Sequence, residues 1–145
     1  MSVPDMGQGT ARRLYASATA GGADSFSLAE DVALRLASAC DTLFADLEAA
    51  RAGGEQIAGA QGNAGFPDLP TGRALAAGFT AKAADYLDTL TALQETALCF
   101  KAAYLAAGGR FDEADLANRA ALAVVAAHPG HHDTGCAAAD RGEHG

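Results

Sequence analysis

The sequence predicts an all-α protein: a long antiparallel helical hairpin with a shorter third C-terminal helix, the hairpin completing a four-helix bundle with a partner chain. Three observations predict it. Apolar residues recur at alternating three- and four-residue intervals over two long segments, 28–57 and 75–104, and that spacing places them on one face of a helix. Between these segments lies GNAGFPDLPTG, residues 62–72, whose two prolines and three glycines signal a turn. Finally, 50% of the chain is nominally hydrophobic, but alanine supplies much of it and there is no Trp. Alanine favours helix and buries little area, so the core is thin and elongated.

Residues 1–24 are rich in Gly, Ala, Ser and Thr without periodicity, which predicts a disordered N-terminal arm. The hairpin domain spans 25–127. It opens on Ser27-Leu28-Ala29-Glu30, the pattern of a capping box in which the serine hydroxyl accepts a backbone N–H and the glutamate reaches back. The first stripe is Leu28, Val32, Leu36, Ala39, Leu43, Leu47, Ala50 and Ile57. Gly53-Gly54 and Gly59 weaken its last turns by about 1 kcal/mol each. The second helix starts near Thr71 or Arg73, and its stripe runs Leu75, Phe79, Ala83, Tyr86, Leu90, Leu93, Ala97, Phe100 and Tyr104. Near-heptad spacing of this kind suits two antiparallel helices packed side by side. Gly108-Gly109 interrupts it. A third helix follows from Phe111 to about Ala127, carrying Leu116, Leu122, Val124 and Val125, and His128-Pro129-Gly130 ends it. The remainder, 128–145, reads as a disordered His-rich tail.

One seam does not bury all of this apolar surface. Leu87, Leu98 and Leu105 form a second strip on the second helix, and Phe44 lies to one side on the first. Burying a side chain of that size stabilises by roughly 1.5–3 kcal/mol, so the strip calls for a cover. Either the third helix folds back over it or a partner chain does. The partner is the favoured cover, which makes Phe44, Leu87, Leu98 and Leu105 interface candidates.

Charge and chemistry exclude several functions. The net charge is −8, with Lys82 and Lys101 the only lysines, so there is no basic footprint for nucleic acid. The same balance disfavours an anionic membrane surface. No apolar run approaches the roughly 18 residues of a spanning helix, so membrane insertion is not expected. Arg12-Arg13 is not followed by a continuous apolar run, so a cleavable signal peptide is not expected either. The expected location is cytoplasmic, or outside the cell by a route that needs no such peptide.

Carboxylates such as Asp85 and Asp88 are plentiful, but none pairs with a histidine on a helix face. There is no ExxH, GxSxG, P-loop or GxGxxG. No catalytic residue, cofactor or enzymatic activity is assigned. The four histidines, His128, His131, His132 and His144, gather in the tail with Cys136, Asp133 and Asp140. Imidazole and thiolate suit zinc, copper or nickel, but the spacing matches no closed zinc site. A solvated tail is the default and no metal ligand is assigned.

The three cysteines, Cys40, Cys99 and Cys136, make neither a disulfide framework nor a zinc module. Cys40 and Cys99 fall at the same level of an antiparallel hairpin, yet Cys99 lies about 120° from the main face of its helix. Level fits a bond and rotation does not. Cys40 reads better as a small buried hydrophobe.

The segment Phe111-Asp-Glu-Ala-Asp115, continuing Leu-Ala-Asn-Arg-Ala-Ala-Leu122, resembles the end of the second helix in the EspC-like family of type VII (ESX) secreted actinobacterial proteins. That family carries an aromatic-x-x-Ala-Asp pattern there, usually Tyr-x-x-x-Asp, which the secretion machinery recognises. The resemblance covers roughly residues 27–122. It implies a secreted or secretion-associated protein that pairs with another helical chain as a homodimer or heterodimer, for example with a toxin's N-terminal domain. By the same resemblance Phe111 stands for the tyrosine and Asp115 for the acid of a secretion signal.

The chain departs from the pattern in three ways. It has no Trp-x-Gly at the turn, Gly108-Gly109 breaks the helix before the signal, and the tail beyond Leu122 is long. Read from the residues alone, Phe111 staples the third helix to the bundle, and Asp112 and Glu113 favour its N-terminus through the helix dipole. The competing functional class is a cytoplasmic Ala-rich helical scaffold or coat protein of the phasin kind.

Overall fold

The computed structural model describes residues 5–21, 25–58, 67–127 and Cys136. Among the described residues the chain is all-helical: α1 (Gln8–Ala20), α2 (Glu30–Ala58), α3 (Pro70–Ala107) and α4 (Phe111–Ala126). The first, second and third helices expected from periodicity are α2, α3 and α4. The turn expected over 62–72 lies outside the described residues as far as residue 66, and the tail does so except for Cys136.

Helix α3 is the axis of the molecule. Its 38 residues extend about 57 Å at 1.5 Å per residue. Pro70 sits in its first turn after an extended Leu69, where a missing N–H costs nothing and φ is already helical. Helix α2 runs antiparallel to it: Lys101 pairs with Asp41 at 2.7 Å, Arg51 reaches Gln94, and Gly54 faces Leu87 and Tyr86.

Helix α1 corrects the expectation of a disordered arm over 1–24. Gly7, at φ 107°, is its N-cap. The Asp5 carboxylate accepts the N–H groups of Gly7 and Gly9 at 2.8 and 3.3 Å, and these bonds hold its pKa below the usual carboxylate value. Helix α1 runs parallel to α3, with Gly7 beside Thr96 and Phe100. Ala11 clusters with Leu98, Cys99 and Ala102, and Ala18 with Leu105 and Ala106. Its fully buried residues are only Gln8 and Ala11, and its apolar stripe, Ala11, Leu14, Tyr15 and Ala18, is two turns long within a Gly-, Ala-, Ser- and Thr-rich stretch.

The expected capping box is replaced by other contacts. Glu30 is the first residue of α2, and its carboxylate pairs with Arg110 at 2.6 Å. The Leu28 N–H donates to the Ala107 carbonyl at 2.9 Å, tying the connection before α2 to the end of α3. Gly109, at φ 80°, lies in the turn between α3 and α4, where the left-handed backbone suits glycine. Helix α4 then folds back along α3, placing Ala117 and Ala121 against Leu98, Cys99 and Ala102.

The core therefore sits at one end. From Leu90 to Ala107 nearly every α3 side chain is buried, because α1, α2 and α4 surround that half. From Pro70 to Thr89 only Gly72 and Ala76 are buried. Leu75 is 59% exposed and Tyr86 49%, so the front half of the expected stripe is largely in water. The interior is made mainly of alanines, which let helix axes approach closely.

A disulfide joins Cys99 to Cys136, with Cα atoms 5.1 Å apart. This corrects the expectation that the cysteines make no disulfide framework. Cys40 keeps a free thiol and is half-buried rather than buried.

Candidate functional site

A polar layer crosses the bundle where α1 begins. Gln94 and Glu95 have no solvent exposure and, as neighbours on α3, face different helices. Gln94 turns to α2: its amide donates to Glu48 at 2.8 Å and its carbonyl accepts from Arg51 at 3.3 Å. Arg51 is paired with Glu48 and Glu55 as well, at 3.3 and 3.0 Å. Glu95 turns to α1, where the Arg12 guanidinium lies 3.7 Å away. The buried hydroxyls of Thr91 and Thr96 donate to the Leu87 and Ala92 carbonyls of their own helix. Through Gln94 the layer ties α3 to α2, and through Glu95 it ties α3 to α1.

The open concavities mix apolar and charged side chains. A groove of about 280 Å³ lies between α2 and α4, floored by Ala37, Leu98 and Leu105, rimmed by Leu34, Leu116 and Ala120, and lined as well by Ser38, Asp41, Lys101 and Glu113. Leu34 is 39% exposed and Leu116 60%. A second concavity of about 410 Å³ forms where α4 starts, lined by Glu30, Gly109, Arg110, Phe111, Asp112 and Glu113. Arg110 pairs there with both Glu30 and Glu113, which raises its pKa.

Phe111, the first residue of α4, is 53% exposed. Asp115 is also exposed. One helical turn apart, the two share a face.

The interface candidates divide. Phe44 and Leu87 are partly buried, Phe44 against the core cluster and Leu87 against Gly54 of α2. Leu98 and Leu105 are 6% and 2% exposed. The strip expected to await a partner is thus covered within the chain at Leu98 and Leu105, by α1 and α4. Periodicity missed the surfaces that stay open: Leu34 and Leu43 on α2, Leu69 before α3, and Leu116 and Leu122 on α4.

Among the described residues no group of three or more His, Cys, Asp or Glu converges to hold a metal ion. The four histidines, with Asp133 and Asp140, lie outside the described residues. No described helix is long and apolar enough to cross a membrane. In comparisons with known proteins, no family model, curated protein or solved structure matches the chain.

Proposed function

We propose that this chain acts by binding other proteins, as a type VII (ESX) secreted or secretion-associated helical protein in which Phe111 and Asp115 form the element read by the secretion machinery. The observation that carries the reading is the exposure of Phe111. Phe44 and Phe100 pack against the core cluster, and full burial of such a ring stabilises by roughly 1.5–3 kcal/mol. By contrast, α4 leaves half of Phe111 in water, with an acid one turn away on the same face. Such a pair offers a partner an aromatic anchor and a charge that fixes orientation. The α2–α4 groove adds a mixed surface, apolar at Leu34, Leu116 and Ala120 and charged at Asp41, Lys101 and Glu113, of the kind that receives an amphipathic helix from another chain.

The test is export from an actinobacterial host that carries such a system. Phe111→Ala and Asp115→Ala should each empty the culture filtrate of the protein while its level inside the cell is maintained. Export of both variants at the parent level would overturn the reading. Light scattering on protein recovered from that host should also give a mass above the monomer, with a second helical chain accounting for the difference.

A second reading draws on the bare half of α3. Leu69, Leu75, Phe79 and Tyr86 are 43–59% exposed, and such residues suit a cytoplasmic coat or scaffold protein that adsorbs to an apolar surface. Recovery of the native protein with cellular inclusions, and not in the filtrate, would favour it.

A further inference from the structure

Helix α4 is held to α3 by little apolar surface. Its buried side chains are Ala114, Ala117, Ala121 and Val125, whereas Phe111, Leu116 and Leu122 remain largely in water. Methyl-sized groups bury little area, so the contact owes much to whatever fixes the ends of the helix. At its start, Arg110 pairs with Glu30 of α2 and with Glu113. Beyond its end the chain returns to the bundle at Cys136. That residue is 1% exposed, its N–H donates to the Asn118 side-chain carbonyl at 2.9 Å, and its sulfur is bonded to Cys99 of α3. Both cysteines sit in the cluster of Ala11, Leu98, Ala102, Ala117 and Ala121, and the covalent loop between them contains all of α4.

We propose that the Cys99–Cys136 disulfide is a redox-operated clasp: closed, it locks α4 over one side of the α3 strip that includes Leu98 and Leu105, and opened by a dithiol it releases α4 and uncovers that side, while α1 and α2 stay in place. Gly109, with no neighbour within 4 Å of an added Cβ, provides a hinge for the release. The closed form belongs to an oxidising compartment and the open form to a reducing one. This goes beyond the secretion reading and does not depend on it.

Closure is thiol–disulfide exchange with a disulfide-bearing oxidant such as glutathione disulfide or a dithiol oxidoreductase. The Cys136 thiolate attacks one sulfur of the oxidant, whose other sulfur leaves as a thiolate. The Cys99 thiolate then displaces the attached sulfur and forms the protein disulfide. The protein gives up two electrons and two protons, and the oxidant is reduced to two thiols. A dithiol reverses both steps. Cys40 is a poor competitor, because burial pushes its thiol up to about 11 and the thiolate is the nucleophile.

The experiment is amide hydrogen exchange on the full chain, oxidised with glutathione disulfide or reduced with dithiothreitol, alongside peptide mapping without reductant. The map should contain the Cys99–Cys136 bond and no bond to Cys40. Reduction should speed exchange across 111–126 at least tenfold while 30–50 of α2 changes less than twofold. Cys136→Ser should reproduce the reduced state, and Cys40→Ser should leave the switch intact. A bond to Cys40, or no bond at all, would overturn the proposal. So would equal α4 exchange in the two states, or loss of protection throughout α2 on reduction, which would make the disulfide a staple of the whole fold.

Discussion

The Arg12 guanidinium stands 3.7 Å from the Glu95 carboxylate, a group with no exposure to solvent. Taking the cation from a buried ion pair costs roughly 3–5 kcal/mol, because the carboxylate has already lost its water. Arg12 retains some exposure, so Arg12→Ala should cost somewhat less, about 2–3 kcal/mol. Glu95→Gln, which keeps the shape and removes the charge, should cost less than Arg12→Ala. Urea midpoints of the two variants give the comparison; the reverse order would mean that Arg12 is not the group that offsets the burial of Glu95.

At the other end of the core, Gly108 passes so close to Ala33 that an added Cβ would overlap the alanine methyl. Gly108→Ala should destabilise by about 1–3 kcal/mol, the usual cost of overpacking. In an Ala33→Gly background the same change should cost less than half as much. Thermal unfolding of the single and double variants reads the coupling directly.

Leu105 and Leu75 lie on the same helix, one 2% and the other 59% exposed. Leu105→Ala should cost about 2–5 kcal/mol in the isolated chain, and Leu75→Ala about 0.5 kcal/mol or less. Equal, small losses in the monomer would return Leu105 to the role of an open interface residue.

Cys40 gives a pH dependence. Its thiol pKa is raised from 9.0 to about 11, first by burial, then by Asp41, with Lys101 opposing. A raised pKa means that the folded chain binds this proton more tightly than the unfolded chain. The contribution to stability is complete below pH 9 and is lost as pH rises towards 11. Alkylation by iodoacetamide under native conditions should follow the same curve, slow at pH 8 and rising to a midpoint near 11. A midpoint near 9 would show that Cys40 is solvated.

The helices legible in the sequence are those with large apolar residues at regular intervals or strong breakers at their ends, although what α2 and α4 bury is mainly alanine. Pro67 and Pro70 delimit α3, Gly108-Gly109 separates it from α4, and Leu36 and Leu47, both partly buried, lie on the expected stripe of α2 as buried Leu90 does on that of α3. Helix α1 was overlooked because its stripe, Ala11, Leu14, Tyr15 and Ala18, spans only two turns inside a Gly-, Ala-, Ser- and Thr-rich stretch. A second local signal was Asp5 ahead of Gly7 and Gly9, a carboxylate placed to receive the first free N–H groups. The stripe on α3 misled for another reason: beyond Leu90 the helix has neighbours around most of its circumference, and a single face no longer describes it. Helical phase correctly disfavoured a Cys40–Cys99 bond. The Cys99–Cys136 bond depends on the path of the chain beyond α4, which no periodicity encodes. Of the proposed signal, the residue types at 111 and 115 were readable, but the exposure of the ring depends on how α4 rolls against α3.

Helix α3 passes without a break from a half enclosed by three other helices to a half supported by one. A single continuous helix therefore belongs to two regions of unequal resistance to melting. On warming, the supported-on-one-side stretch should lose its helix first while the enclosed stretch persists, giving a broad loss of helicity ahead of the main transition. A lone midpoint temperature would then average two events that share the same backbone.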